Sequence, residues 1–151
     1  MASTEFVYAT YIKATPQDVW NAITSPEFMK QYWFGSYAES DFKAGSPWKL
    51  FRENGEITDS GEIVESAPPK RLVIRWRNEW KPELKAEGYS RCTFEIETVA
   101  NVTKLTITHV MDKEGSKLIG AVSGGWPKIL SNLKSLLETG ELVLAANPAS
   151  H

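Results

Sequence analysis

The sequence holds a single cysteine, Cys92, and only two histidines, His109 and the terminal His151. One thiol cannot close a disulfide within the chain, and two histidines without further cysteines do not make a structural zinc site. No stretch approaches the roughly 18 continuous apolar residues of a membrane-spanning helix. The first residues lack a basic segment followed by an apolar block, so a soluble, unexported and cytoplasmic protein is expected. Neither sign of charge dominates: 17 basic residues against 19 acidic ones leave a formal charge of -2. The charges are scattered, which gives nucleic acid no extended basic footprint. A metal-binding HExxH helix, a phosphate-cradling glycine loop and a dinucleotide fingerprint are also missing, so no metal and no cofactor are indicated.

What is present has a clear order. A chain of 151 residues is long enough for one core and short enough for one domain, taken here as 1–151. Glu5 to Ile12 (EFVYATYI) is rich in β-branched and aromatic residues and predicts a strand. Thr15, Pro16 and Asp18 then form an N-cap, first-turn proline and capping-box acid. Val19, Trp20 and Ile23 give that short helix its apolar face. Ser25-Pro26-Glu27 repeats the start signal for a second short helix, with Phe28 and Tyr32 pointing inward.

From Ser36 to Val110 the period is two. SPWKLF, ITDSGEIVES, RLVIRW, SRCTFEIET and TKLTITHV predict the strands of an antiparallel meander. Cys92, Phe94 and Ile96 alternate with Thr93, Glu95 and Glu97, and Leu105, Ile107 and His109 alternate with Lys104, Thr106 and Thr108. One face of each strand should meet an apolar interior and the other water. From about Ser116 to Leu142 the period becomes helical: Leu118, Val122, Trp126, Ile129, Leu130, Leu133, Leu136 and Leu137 share a stripe, and Gly140 offers a stop. Helices on one face of an antiparallel sheet make an α+β domain. A curved sheet and a cylindrical helix match imperfectly, which leaves room for a gap between them.

The long helix is interrupted by Gly124, Gly125 and Pro127. Two glycines cost a helix about 2 kcal/mol against alanines, and an interior proline about 3 kcal/mol. Either the glycines relieve a tight crossing against the sheet, or the missing side chains and the bend shape a cavity with Trp126 as one wall. Pro127 escapes the cost only if the helix starts near Ser123.

The segments ATPQDVWNAITSPEFMKQYW, AGSPWKL, GEIVESAPPKRLVIRW, SRCTFEIE, TKLTITH and GGWPKILSNLKSLLETG together resemble the SRPBCC superfamily, also described as START-like or Bet v 1-like. Within it they are most similar to the branch related to the activator of Hsp90 ATPase homologue 1. The similarity covers about residues 5–142. It implies a helix-grip fold: a curved antiparallel sheet wrapped around a long C-terminal helix, with two short helices after the first strand and a cavity between sheet and helix. The superfamily includes lipid and hydrophobic-ligand carriers, polyketide cyclases, stress-response proteins and a co-chaperone domain.

The six tryptophans are the other source of candidate residues. Trp20 belongs to a periodic helical face and to the core. Trp48 and Trp76 lie in strands and either fill the interior or line a pocket. Trp80, in the polar connection NEWKPELKAEG, is a lid or an interface residue. Tyr32, Trp33 and Phe34 in a row cannot all face one core, so this segment is a candidate entrance. His109 shares the inward face of Leu105 and Ile107, where it either hydrogen-bonds within the core or acts on a ligand. Cys92 reads as a small buried hydrophobe. Arg75, Arg77, Glu62, Glu65, Glu95 and Glu97 read as surface residues.

The expected ligand-binding set is Trp33, Phe34, Trp48, Trp76, Trp80, Phe94, Ile107, His109, Val122 and Trp126. The expected function is non-enzymatic binding of an apolar or amphipathic small molecule of lipid, polyketide or aromatic type. Two alternatives stand beside it: a co-chaperone-like interaction domain with a chaperone as partner, and a cyclase or dehydratase in which His109 moves a proton. The sequence sets no oligomeric state.

Overall fold

The computed structural model describes residues 3–144. Strand β1 (Thr4–Ile12) leads into helices α1 (Pro16–Thr24) and α2 (Pro26–Tyr32). Strands β2 (Tyr37–Glu39), β3 (Pro47–Phe51), β4 (Ile57–Ala67) and β5 (Arg71–Asn78) follow. A single-turn helix α3 (Pro82–Lys85) precedes β6 (Ser90–Val99) and β7 (Val102–Met111), and helix α4 (Lys117–Thr139) closes the described fold.

The helix starts obey the signals in the sequence. The Thr15 hydroxyl accepts from the Asp18 amide at 3.1 Å while the Asp18 carboxylate accepts from the Thr15 amide at 3.4 Å, a reciprocal capping box with Pro16 at the first position. At α2 the Ser25 hydroxyl accepts from the Phe28 amide at 3.5 Å, with Pro26 at the first position and no reciprocal bond. Ser116 caps α4, and its first amides gain a second acceptor from a distant loop: the Glu87 carboxylate accepts from the Lys117 amide at 2.8 Å and from the Ser116 hydroxyl. Gly140, at φ 81°, ends α4 in the left-handed conformation that glycine tolerates. The helix therefore stops at Thr139, at the glycine that the sequence offers as its stop.

The strands form one curved, open antiparallel sheet in the order β1-β7-β6-β5-β4-β3-β2. First and last elements of the strand sequence are thus brought together, since β1 pairs with β7 from Thr4 opposite Met111 to Ile12 opposite Thr103. Helices α1, α2 and α4 cover one face, giving a helix-grip α+β domain. Most of its core is one cluster, in which Ile12, Val19, Ile63, Leu72, Cys92, Leu105, Ile107, Leu130 and Leu133 are all buried, and Leu84, Met111, Leu118 and Ile119 form a second, smaller one.

One strand-level expectation needs correction. Thr93, assigned to the wet face, is buried because it lies mid-sheet between Val73 of β5 and Thr108 of β7. Strand β2 and helix α3 carry no signal in the sequence, because three and four residues are too few to display a period.

Gly61 is required by geometry. A Cβ there would overlap the Arg75 carbonyl oxygen of the neighbouring strand, so no residue with a side chain fits. Gly61 lies opposite Trp48 on one side and Trp76 on the other. The two indoles meet above it with centroids 4.5 Å apart.

Candidate ligand pocket between the sheet and the C-terminal helix

Pro127 sits in the interior of α4, which begins at Lys117, so the helix does not begin near Ser123. The glycines are not explained by a tight crossing either. A Cβ on Gly120, Gly124 or Gly125 would meet nothing within 4 Å. Gly120 and Gly124 face outward, whereas Gly125 is half-buried and borders open volume.

That volume is a cavity of about 210 Å³ between α4 and the sheet. Helix α4 supplies Leu118, Ala121, Val122, Gly125, Trp126 and Ile129, at the spacing of one helical face. The sheet supplies Leu50, Asp59, Trp76 and Asn78, while Trp33 and Leu84 come from the loop after α2 and from α3. The entry of Trp33 depends on local backbone. Phe34 at φ 53° and Gly35 at φ 86° are both left-handed and turn the chain sharply after α2, which sets the Trp33 ring 5.4 Å from Trp126 and 6.3 Å from Trp76.

The lining residues Trp76 and Trp126 belong to a packed aromatic cluster that extends behind the cavity wall. Trp76 and Trp126 meet edge to face at 5.8 Å, and Phe94 meets Trp126 in the same arrangement at 5.7 Å. His109 is fully enclosed among these rings. Its Nδ1 accepts the Trp126 indole N–H at 3.2 Å, which places the ring proton on Nε2, 2.8 Å from the Ser90 hydroxyl oxygen. Ser90 in turn donates to the Trp76 carbonyl at 3.0 Å. Burial pulls the His109 pKa from 6.5 down to about 4, so the imidazole is neutral at physiological pH.

Of the ten expected binding residues, Trp33, Trp76, Val122 and Trp126 line the cavity. Phe34 and Trp80 line an adjoining open depression that shares Trp33, Gly125 and Ile129 with it. Trp80 is 44% exposed and lies under the Arg52 guanidinium at 4.5 Å. Trp48, Phe94, Ile107 and His109 are buried behind the lining and do not border the open volume.

Asp59 is a lining residue absent from the expected set. It is 7% exposed, and its Oδ2 accepts the Trp76 indole N–H at 2.7 Å and an Asn78 amide N–H at 3.5 Å. Burial pushes its carboxyl above the usual range despite the Trp76 hydrogen bond, and the nearby Glu79 charge acts in the same direction as burial. The sequence does carry a signal for it: period two on β4 puts Asp59 on the inward face with Gly61 and Ile63. Asn78 is the second polar lining group. Its Oδ1 accepts from the Trp80 and Lys81 amides at 2.9 and 2.8 Å, turning the chain into α3 and so carrying Leu84 onto the cavity. No sequence period marks Leu84, which stands alone in a polar loop.

Glu79 beside this corner is strongly ionised. Burial raises its pKa, but hydrogen bonds from Arg77, Ser60 and Lys85 outweigh that and hold it at about 2.

A seven-stranded sheet gripping a C-terminal helix around a pocket defines the SRPBCC, or START-like, class. Within that class the sequence profile of the family described as activator of Hsp90 ATPase homolog 1-like protein matches residues 13–138, and the chain belongs to this family. No curated protein gives a match. Among solved structures, the fold is similar to an Hsp90 activator from Plasmodium falciparum, with 28% identity, a TM-score of 0.67 and coverage of 89% of this chain and 95% of that one. It is also similar to the Aha1 dimer from Colwellia psychrerythraea, at 24% identity and a TM-score of 0.73 over 91% and 98% of the two chains. CalU16 from Micromonospora echinospora shares 25% identity, with a TM-score of 0.72 over 95% of this chain and 69% of that one. Among the described residues no helix is long and apolar enough to cross a membrane.

Proposed function

We propose that the chain binds a small apolar or amphipathic molecule in the cavity between α4 and the sheet. The observation that carries this reading is Gly125. An alanine would favour the helix by about 1 kcal/mol and would meet no neighbouring atom within 4 Å, yet the position is left without a side chain and the volume beside it stays open. The size limits the guest. At about 210 Å³ the cavity falls below the roughly 300–1,000 Å³ of sites for drug-sized ligands, which favours a single ring or a short chain over a long lipid. The enclosed His109 is out of reach of such a guest, which weighs against proton transfer by that ring. A ligand screen by native mass spectrometry and by NMR of the indole N–H signals tests the reading. Binding should shift the Trp76 and Trp126 signals, and a screen of small amphiphiles that leaves both unmoved would defeat it.

A second reading has support of another kind. The family match and the likeness to the Plasmodium falciparum Hsp90 activator favour a co-chaperone-type interaction. Stimulation of Hsp90 ATP hydrolysis by the purified chain would establish it, and absence of both stimulation and complex formation would exclude it.

A further inference from the structure

The cavity wall is indole and aliphatic except at Asp59 and Asn78. Asp59 is nine-tenths buried, and both hydrogen bonds to its Oδ2 come from neutral donors, the Trp76 indole and the Asn78 amide. Among the described residues no lysine, arginine or histidine nitrogen lies within 4 Å of its carboxylate. The neighbouring cations are engaged elsewhere: Arg77 and Lys85 hold Glu79 at 2.6 and 3.2 Å. Asp59 is thus a buried acid at the edge of open volume without a counter-charge among the described residues, an arrangement that costs free energy until a cation or a proton supplies one.

We infer that the cavity takes a small organic ammonium ion, a primary or secondary amine on a single ring or short chain, with its N–H groups on the Asp59 carboxylate. This inference rests on the ligand-binding reading above and narrows it to a chemical class. Three features converge on that class. An ammonium brings the missing positive charge together with N–H donors, whereas an alcohol brings one donor and no charge, and a carboxylate adds repulsion. Trp33, Trp76 and Trp126 surround the same space, with ring centroids 5.4 to 6.3 Å apart, and indole is the aromatic group best suited to a neighbouring cation. The aliphatic side chains of Leu50, Leu84, Val122 and Ile129 then receive the apolar remainder of the guest.

The test is a titration of the full chain at pH 7.5 with three matched probes: 2-phenylethylammonium, 2-phenylethanol and 3-phenylpropanoate. Calorimetry measures affinity, and the Trp76 and Trp126 indole N–H signals report the site. The ammonium should bind about tenfold or more tightly than the alcohol, with the carboxylate weaker than both. Asp59→Asn keeps an acceptor for the Trp76 indole and should bring ammonium and alcohol within about twofold of each other. The comparison of probes on the unmodified chain does not depend on that variant folding. Alcohol binding as tightly as ammonium overturns the inference while leaving the ligand reading intact, and so does an ammonium preference that survives Asp59→Asn. If no probe shifts the cavity indoles, the inference is overturned, and the wider screen decides the reading beneath it.

Discussion

The Trp126 indole N–H reaches Nδ1 of His109 across 3.2 Å, joining the middle of α4 to β7 inside the aromatic cluster. This bond fixes the imidazole tautomer and leaves its Nε2–H for Ser90, so a histidine that the sequence leaves as either a hydrogen-bonded core residue or a ligand-facing base is held as a neutral link between helix and sheet. Its energetic effect is mostly a matter of pH.

The unfolded imidazole takes a proton near its ordinary 6.5, while the folded ring takes one only near about 4. Between those values protons favour the unfolded chain. His109 therefore leaves stability intact above pH 6.5 and removes it as the pH falls toward about 4, by about 3 kcal/mol in full. Asp59, whose carboxyl is raised, acts in the opposite sense, so the contribution of His109 is read as the difference from His109→Gln. Urea denaturation of both proteins at pH 7.5 and 5 should show the wild type losing more stability than the variant. The His109 ring signals should not titrate above pH 5; titration near 6.5 would refute the assignment.

Filling the open volume from the helix separates binding from folding. Gly125→Ala should raise stability by about 1 kcal/mol through helix propensity alone. Gly125→Leu should abolish ligand-induced shifts at Trp76 and Trp126 while the thermal midpoint holds or rises, because the added side chain enters space that holds no neighbouring atom within 4 Å of its Cβ. A Gly125→Leu variant that still binds at full affinity would move the ligand site elsewhere.

Gly61 is expected to behave in the opposite way. A methyl group there overlaps the Arg75 carbonyl, so Gly61→Ala must part β4 from β5 under the Trp48–Trp76 contact. We expect a loss of at least about 2 kcal/mol by denaturant unfolding. An unchanged midpoint would show that the sheet relaxes there freely.

Cys92 is fully buried on β6, and burial pushes its thiol well above the usual range. Its reaction with a disulfide reagent at pH 8 should be negligible in the folded protein and should speed up with urea in step with unfolding. Fast labelling of the native chain would mean that β6 opens locally.

Several layers of this protein are set by local chemistry and so are legible in sequence. Thr15, Pro16 and Asp18 start α1, Ser116 starts α4 and Gly140 stops it, because caps and breakers act through neighbouring backbone groups. Alternation on β6 and β7 assigns Cys92, Phe94, Ile96, Leu105, Ile107 and His109 to the interior, because side chains of a strand point to two faces only. The order of these elements and their family resemblance then leave one architecture.

Which inward residues face a void and which face packed atoms is a different question, and only the tertiary structure decides it. Period two puts His109 and Asp59 equally inside. Yet His109 falls beneath Trp126 and is enclosed, whereas Asp59 falls opposite the helical face that carries Gly125 and borders open space. A strand's period fixes the direction of a side chain but not what stands across from it. That depends on where a helix far along the chain crosses the sheet and on which of its side chains is missing at the crossing.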